Sequence, residues 1–421
     1  MTDTQDLRQT ARTLFDAAVA AADPARAMAR ALGHTPLPTP KGRSIVIAVG
    51  KAAPAMMTAT LPHVPGPVEA LVVTHHENPE DAPGARVMRA GHPVPDAAGL
   101  QAATAVMDLL DSAGPDDAVI ALISGGGSAL LPAPVPGLTL ADKAEVNRVL
   151  LGGGLDITAM NLVRQNLSQL KGGGFLRRAA PAPVTAYLLS DVIGDDLRVI
   201  ASGPTVGPVG SATEARALLQ DRRLWDALPA AARTVLDRTG ANAPLPSATN
   251  TLIGSNRHSL EAMQAVAPDR AEIINDRLEG DVAEAAAVVL AQFKTPKTPR
   301  ILLFGGETTV RLTGNGRGGR NQELALRVAM GAPAVGFDWL FLSGGTDGRD
   351  GPTDAAGGIV DAGTVARIAQ AGGDARALLA NNDSYAALRL AGDLLITAAT
   401  GTNVADVQAL LLRPREASRE A

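Results

Sequence analysis

Lysine, arginine and aspartate recur in this 421-residue chain beside glycine, directly after short apolar runs. Lys51, in VGKAAPAMM, follows the run SIVIAVG, and its neighbours Gly50, Ala52 and Ala53 give it no solvated face. A lysine so placed suits neutralisation of a phosphoryl group in transit. ISGGGSALL puts Ser124, Gly125, Gly126, Gly127 and Ser128 after the run AVIAL. Successive free amides in such a turn cradle an anion, so a phosphate or carboxylate is expected there. No Gly-Lys-Ser/Thr follows, so this is not a Walker A loop. NLVRQNLSQLKGGGF (161–175) reads as one helix, with Arg164 and Lys171 on one face and Gly172 at its exit. That pattern fits an anion-facing helix, although a glycine C-cap explains part of it. Asp191, near the end of PVTAYLLSDV, is a carboxylate placed just beyond an apolar strand, which suits Mg²⁺ binding or acceptance of a hydroxyl proton.

Two further segments carry the same chemistry. GGETTVRLTGNGRGGRNQE (305–323) holds Glu307, Arg317 and Arg320 before a helix, and glycine-held arginines suit bidentate phosphate or carboxylate recognition. SGGTDGRDGPTDAAGGIVD (343–361) adds Asp347, Asp350 and Asp354, which either coordinate a cation or form Asx turns. The six histidines lack metal-ligand spacing and read as hydrogen-bonding groups.

The elements that must position these residues are strands alternating with helices. SIVIAVG (44–50), VEALVVT (68–74), DDAVIALIS (116–124) and PVTAYLLSDV (183–192) are nearly continuous apolar runs, as strands covered on both faces are. Residues 97–110 and 139–151 read as helices between them, which predicts a Rossmann-like parallel sheet. A second series comprises strands at 250–255, 271–276, 301–306, 308–313, 339–345 and 404–412 and helices at 281–293 and 321–330. TTVRLT alternates, so an antiparallel strand in a mixed sheet is expected there. The stretch 205–249 shows no strand, and the domain boundary is placed within it, giving domains 1–240 and 241–421.

Composition removes several functions. A formal net charge of −5 and 2% aromatic residues argue against a nucleic-acid binder. The absence of cysteine excludes disulfides, thiolate metal sites and cysteine nucleophiles. With neither a signal peptide nor a membrane-length apolar run, a cytoplasmic protein without membrane contact is expected.

Together, VGKAAPAM (49–56), GHPVPD (91–96), LISGGGSALL (122–131), NLVRQNLSQLKGGG (161–174), LLSDVIGDDLRVIASGPT (188–205), GGETTVRLTGNGRGGRNQE (305–323), SGGTDGRDGPTDAAGG (343–358), NNDSY (381–385) and TGTNVAD (400–406) resemble the glycerate 2-kinase (MOFRL) family, whose members are often labelled hydroxypyruvate reductase. The resemblance implies two α/β domains with the active site in the cleft between them, the smaller C-terminal one with a mixed sheet. It implies transfer of the ATP γ-phosphoryl group to D-glycerate, giving 2-phosphoglycerate, with Mg²⁺ required. Lys51 and Arg320 match the family's catalytic lysine and arginine. On this reading the partners are glycerate and a nucleotide, with a homodimer left open. Asp191 serves as base or metal ligand and Glu307 as a second metal candidate. Residues 124–128, Lys171 and Gly172 face the nucleotide, and Arg164, Arg317 and Asp347 face the substrate. Two other readings compete: an NAD(P)H-dependent hydroxypyruvate reductase and a non-catalytic organic-acid or phosphate binder. The first lacks a G-x-G-x-x-G turn with an acidic residue about 20 positions on. The second needs fewer charged groups than the chain supplies.

Overall fold

The computed structural model describes residues 3–238 and 244–415. The expected boundary at 240/241 lies outside them. The chain forms two compact units, residues 24–253 and residues 254–421 joined by the first 23 residues. This corrects the expected domain 1–240. The helix Asp3–Ala22 carries Leu7, Ala11, Leu14, Phe15 and Ala18 on one stripe, and that stripe is buried against strands of the second unit. Arg8 on the same helix bonds Asp361 at 2.5 Å and Asp393 at 2.7 Å. A helix follows the partner of its apolar face, whatever its place in the chain.

The first unit is built on six strands: β1 (Ser44–Val49), β2 (Val68–His75), β3 (Arg86–Ala90), β4 (Ala118–Ile123), β5 (Val184–Leu189) and β6 (Ala248–Gly254). Their order is β3-β2-β1-β4-β5-β6, and β1 to β5 pair in parallel. Every residue of β1 and β4 is buried, as their apolar runs require. The short, half-buried β3 has no apolar run and was not expected. Capped helices connect the strands: the Asp96 carboxylate accepts the Gly99 amide ahead of Ala97–Asp111, and Thr139 and Asp142 form a capping box ahead of Leu140–Gly152. Residues 205–247 contain the helices Ala212–Asp221 and Ala230–Leu236. These pack on Leu140–Gly152 and Ile157–Asn166 in a separate small core, so this stretch belongs to the first unit.

The second unit contains β7 (Ala271–Asn275), β8 (Gly280–Asp281), β9 (Arg300–Gly306), β10 (Thr308–Thr309), β11 (Phe337–Gly345), β12 (Ala355–Asp361), β13 (Leu394–Ile396) and β14 (Asp406–Pro414). Six make a mixed sheet in the order β13-β12-β11-β14-β9-β7, antiparallel except for β7 with β9. Along β11, Trp339 and Phe341 enter the core on one face while Leu340 and Leu342 enter the core on the other. TTVRLT contributes only the two residues of β10, paired in parallel with β8, which corrects the expected antiparallel strand. No helix among the described residues is long and apolar enough to cross a membrane.

Candidate active site

Strand order in the first unit reverses between β1 and β4, and α/β sheets bind ligands outside the carboxyl ends of strands at such a point. Lys51 follows β1 there, and the Ser124–Ser128 turn follows β4. The two turns are tied together. The Lys51 amide donates to Gly125 O at 2.9 Å, and the Ala52 amide donates to Ser124 Oγ at 3.1 Å. Ser124 is therefore a buried strut between the turns.

Two glycines are required by what surrounds them. A Cβ on Gly125 would lie 2.0 Å from Asp191 Oδ2. Gly126 has φ 87°, and a Cβ there would lie 3.3 Å from Lys51 Cγ and from His92 Nε2. Lys51, His92 and Asp191 thus surround one turn. The amides of Gly125, Gly126 and Gly127 have no backbone acceptor among the described residues. Burial pushes the Asp191 carboxyl above its ordinary range, and Lys51 opposes this only in part. Burial and then Lys51 lower the imidazoles of His92 and His75, keeping them neutral at pH 7. Lys51 is exposed, contrary to the expectation from its small apolar flanks, so the site combines an exposed ammonium, unspent amides and a carboxylate made more basic by burial.

Beneath the turn, Ala201 (φ 48°) and Ser202 (φ 63°) occupy the left-handed region, where non-glycine residues are strained. Hydrogen bonds hold them: Ser202 O accepts from Gly172 N at 3.0 Å and from Gln165 Nε2 at 3.1 Å. Ser202 Oγ lies 2.7 Å from Ser128 Oγ. Gly172 therefore spends its amide inside the protein, and its position is that of a turn-former.

Arg164 and Lys171 do not share a helix face as expected, because the helix ends at Asn166 and Lys171 lies in the following turn. They converge nevertheless. Both line a cavity of about 130 Å³ with Lys143, Asn147 and Ser128. Lys171 Nζ donates to Ser128 O at 2.7 Å, Lys143 Nζ to Pro132 O at 2.5 Å, and Arg164 Nε to Asn147 Oδ1 at 2.8 Å. His92 and Lys143 were missed by sequence reasoning. For Lys143 a signal exists: it shares a helical face with Val146, Asn147 and Leu150, so a cation stands on an apolar stripe.

In the second unit Arg320 begins the helix Arg320–Gly331. Its fork is taken by Asp406, with Nε at 2.6 Å and Nη2 at 3.0 Å, and its Nη1 meets Glu307 at 2.8 Å. Against the effect of burial, Asp406 and then Glu307 raise its pKa above the ordinary value. Asp350 accepts the amides of Asn321 and Gln322 at 3.1 and 2.8 Å, so it caps this helix. Burial still pushes its carboxyl up to about 7. Asp347 Oδ1 accepts the Arg349 amide at 2.9 Å, and Arg317 donates to Pro352 O while its guanidinium stands over the Tyr385 ring. The acidic loop forms turns and caps. No group of three or more His, Asp or Glu side chains among the described residues is placed to hold a metal.

Residues 10–237 match the signature called domain of unknown function DUF4147, and residues 300–406 match the MOFRL family. A D-glycerate 2-kinase of Thermotoga maritima is 38% identical over 421 residues, covering 97% of this chain and 99% of its own. The chain belongs to the glycerate 2-kinase (MOFRL) family. Within that family, a glycerate kinase of Mus musculus is 36% identical over 99% of this chain and 95% of its own. An Agrobacterium vitis protein provisionally named hydroxypyruvate reductase is 39% identical over 96% of this chain and 94% of its own. The crystal structure of a Thermotoga maritima glycerate kinase superposes with a TM-score of 0.89 at 36% identity, covering 97% of this chain and all of the other. The MOFRL match spans β9 to the first residue of β14, and so includes Glu307, Arg317, Arg320, Asp347 and Asp406.

Proposed function

We propose that the protein is a glycerate kinase that transfers the γ-phosphoryl group of MgATP to the 2-hydroxyl of D-glycerate. The observation that carries this reading is the convergence of Lys51 and Asp191 on the Gly125–Gly126 turn, at the point where strand order reverses. Phosphoryl transfer is mostly positioning and charge neutralisation, and these groups supply both. The amides of Gly125 to Gly127 receive phosphate oxygens, and Lys51 neutralises charge on the transferring group. As the new bond from phosphorus to the glycerate oxygen forms, the bond to the β-phosphate oxygen breaks and ADP leaves. The hydroxyl proton passes to Asp191, whose burial makes it a better acceptor. Mg²⁺ typically takes one or two carboxylates plus substrate phosphates and water. Asp191 fits that limited demand, whereas Glu307 already holds Arg320. Arg320 is proposed as a further catalytic cation, with Arg317 and Asp347 as substrate contacts. A cytoplasmic setting and homodimeric assembly belong to the same proposal.

Incubation with ATP, Mg²⁺ and D-glycerate should release ADP and give a phosphorus NMR signal of 2-phosphoglycerate. NADH oxidation with hydroxypyruvate in place of ADP formation would establish the reductase instead. Asp191→Asn assayed across a Mg²⁺ titration separates its two roles: rescue by excess Mg²⁺ marks a metal ligand, and a uniform loss of kcat marks the base.

A further inference from the structure

Among the described residues, the cavity beside the glycine turn is lined by three cations and no acid. Lys143 and Lys171 are 8% and 7% exposed, and Arg164 is half-buried. Among the described residues none of the three meets a carboxylate; their partners are the carbonyls of Pro132, Leu167 and Ser128 and the Asn147 amide oxygen. No other ionisable side chain among the described residues lines the cavity. Lys171 has spent one of its three donors, and Arg164 retains its terminal nitrogens. Like charges buried without a counter-charge are unfavourable, so the arrangement is complete only with an anion. Burial, with Arg164 nearby, pushes Lys171 down to about 7, and Lys143 falls well below its ordinary range through burial, Lys171 and Arg164.

Size narrows the ligand. A volume of about 130 Å³ is small beside the usual ligand pocket, which suits a compact anion such as a carboxylate on a short carbon chain. Position narrows it again. Ser128 continues the turn of Gly125 to Gly127, and Pro93 continues the segment that brings His92 to Lys51.

We propose that Lys143, Arg164 and Lys171 form a subsite for the carboxylate of the hydroxy-acid acceptor, with Pro93, Pro95 and Ala129 against its carbon chain. This rests on the kinase reading above. An anion raises the proton affinity of both lysines, so filling the subsite takes up protons, and acceptor binding weakens as pH rises through 7.

The test is Lys143→Met in the full chain, with Lys171→Met as a second variant. Lys143→Met should raise the KM for D-glycerate tenfold or more and change the KM for ATP less than twofold. Titration calorimetry of the wild type with D-glycerate, in buffers of different ionisation enthalpy, should show proton uptake that Lys171→Met reduces. A raised KM for ATP with unchanged KM for glycerate would assign the pocket to nucleotide phosphate and overturn the proposal. Unchanged values for both would make the cluster structural, with the same consequence. Should the chain phosphorylate no glycerate at all, the kinase reading fails. Calorimetry with D-glycerate, L-lactate and inorganic phosphate then decides the subsite alone: acid binding lost in Lys143→Met retains it, and tighter phosphate binding or no binding overturns it.

Discussion

The two units treat buried charge in opposite ways. In the second, Arg320 is matched by Asp406 and Glu307, and Arg367 by Asp361 and Asp393. In the first, Lys143, Arg164 and Lys171 face only neutral oxygens among the described residues, and Lys51 stands beside a carboxylate that burial keeps proton-hungry. A paired charge stabilises a fixed geometry, whereas an unpaired one in a cavity is costly until a ligand arrives. The unit with the parallel sheet is therefore built for anions. In the other, Asp406 and Glu307 hold the Arg320 guanidinium in one place, and the catalytic role proposed for it depends on that.

The sharpest test of that contrast is Lys51→Ala. Loss of a single strong electrostatic stabiliser should lower kcat by roughly 10²–10⁴-fold, with little change in Tm. A variant keeping more than a tenth of the activity would falsify the assignment. Next in size is the Arg320 pair. Arg320→Lys keeps the charge and loses the fork, so kcat should fall about tenfold or more. Asp406→Asn strands a partly buried guanidinium and should destabilise by about 1–3 kcal/mol, the low end reflecting partial solvation of Arg320. If Arg320→Lys lowers Tm without touching kcat, Arg320 is scaffold alone.

Lys143→Met should move stability the other way, raising it by about 1 kcal/mol, because an uncompensated charge is replaced by an apolar chain of similar length. A fall in Tm would erase the difference between the units. The gentlest slopes to measure are in pH dependence. Asp350 reaches about 7 folded against 3.8 as the ordinary value, so the folded state binds more protons between those values, and stability falls as pH rises through that window. Lys171 is about 7 folded against 10.5, so the unfolded state binds more protons and stability rises with pH from 7 to 10.5. Asp350→Asn should remove the first slope and Lys171→Met the second, each at most about 1.4 kcal/mol per pH unit in denaturant titrations.

Much of this was legible in the residues. The nearly continuous apolar runs of β1, β4 and β5 announced strands covered on both faces, and Lys51 and Gly125–Gly127 stood directly behind the first two. β12 was hidden because AAGGIVD reads as the end of a glycine loop, and β13 because three residues carry no period. Arg164 and Lys171 were paired for the wrong reason: the helix stops at Asn166, and the turn after it closes the gap.

What the sequence determined by itself is local: which segments are strands, where glycine permits a tight turn, and which charged residue follows each turn. Those properties are encoded within a few residues by backbone freedom and side-chain pattern. Tertiary structure alone decided that the helix Asp3–Ala22 belongs to the second unit, that Arg320 meets an aspartate 86 residues away, and that three cations on separate segments share one cavity. Such pairings depend on which apolar faces pack together and on the loops that close between them, and no short window of sequence contains that information.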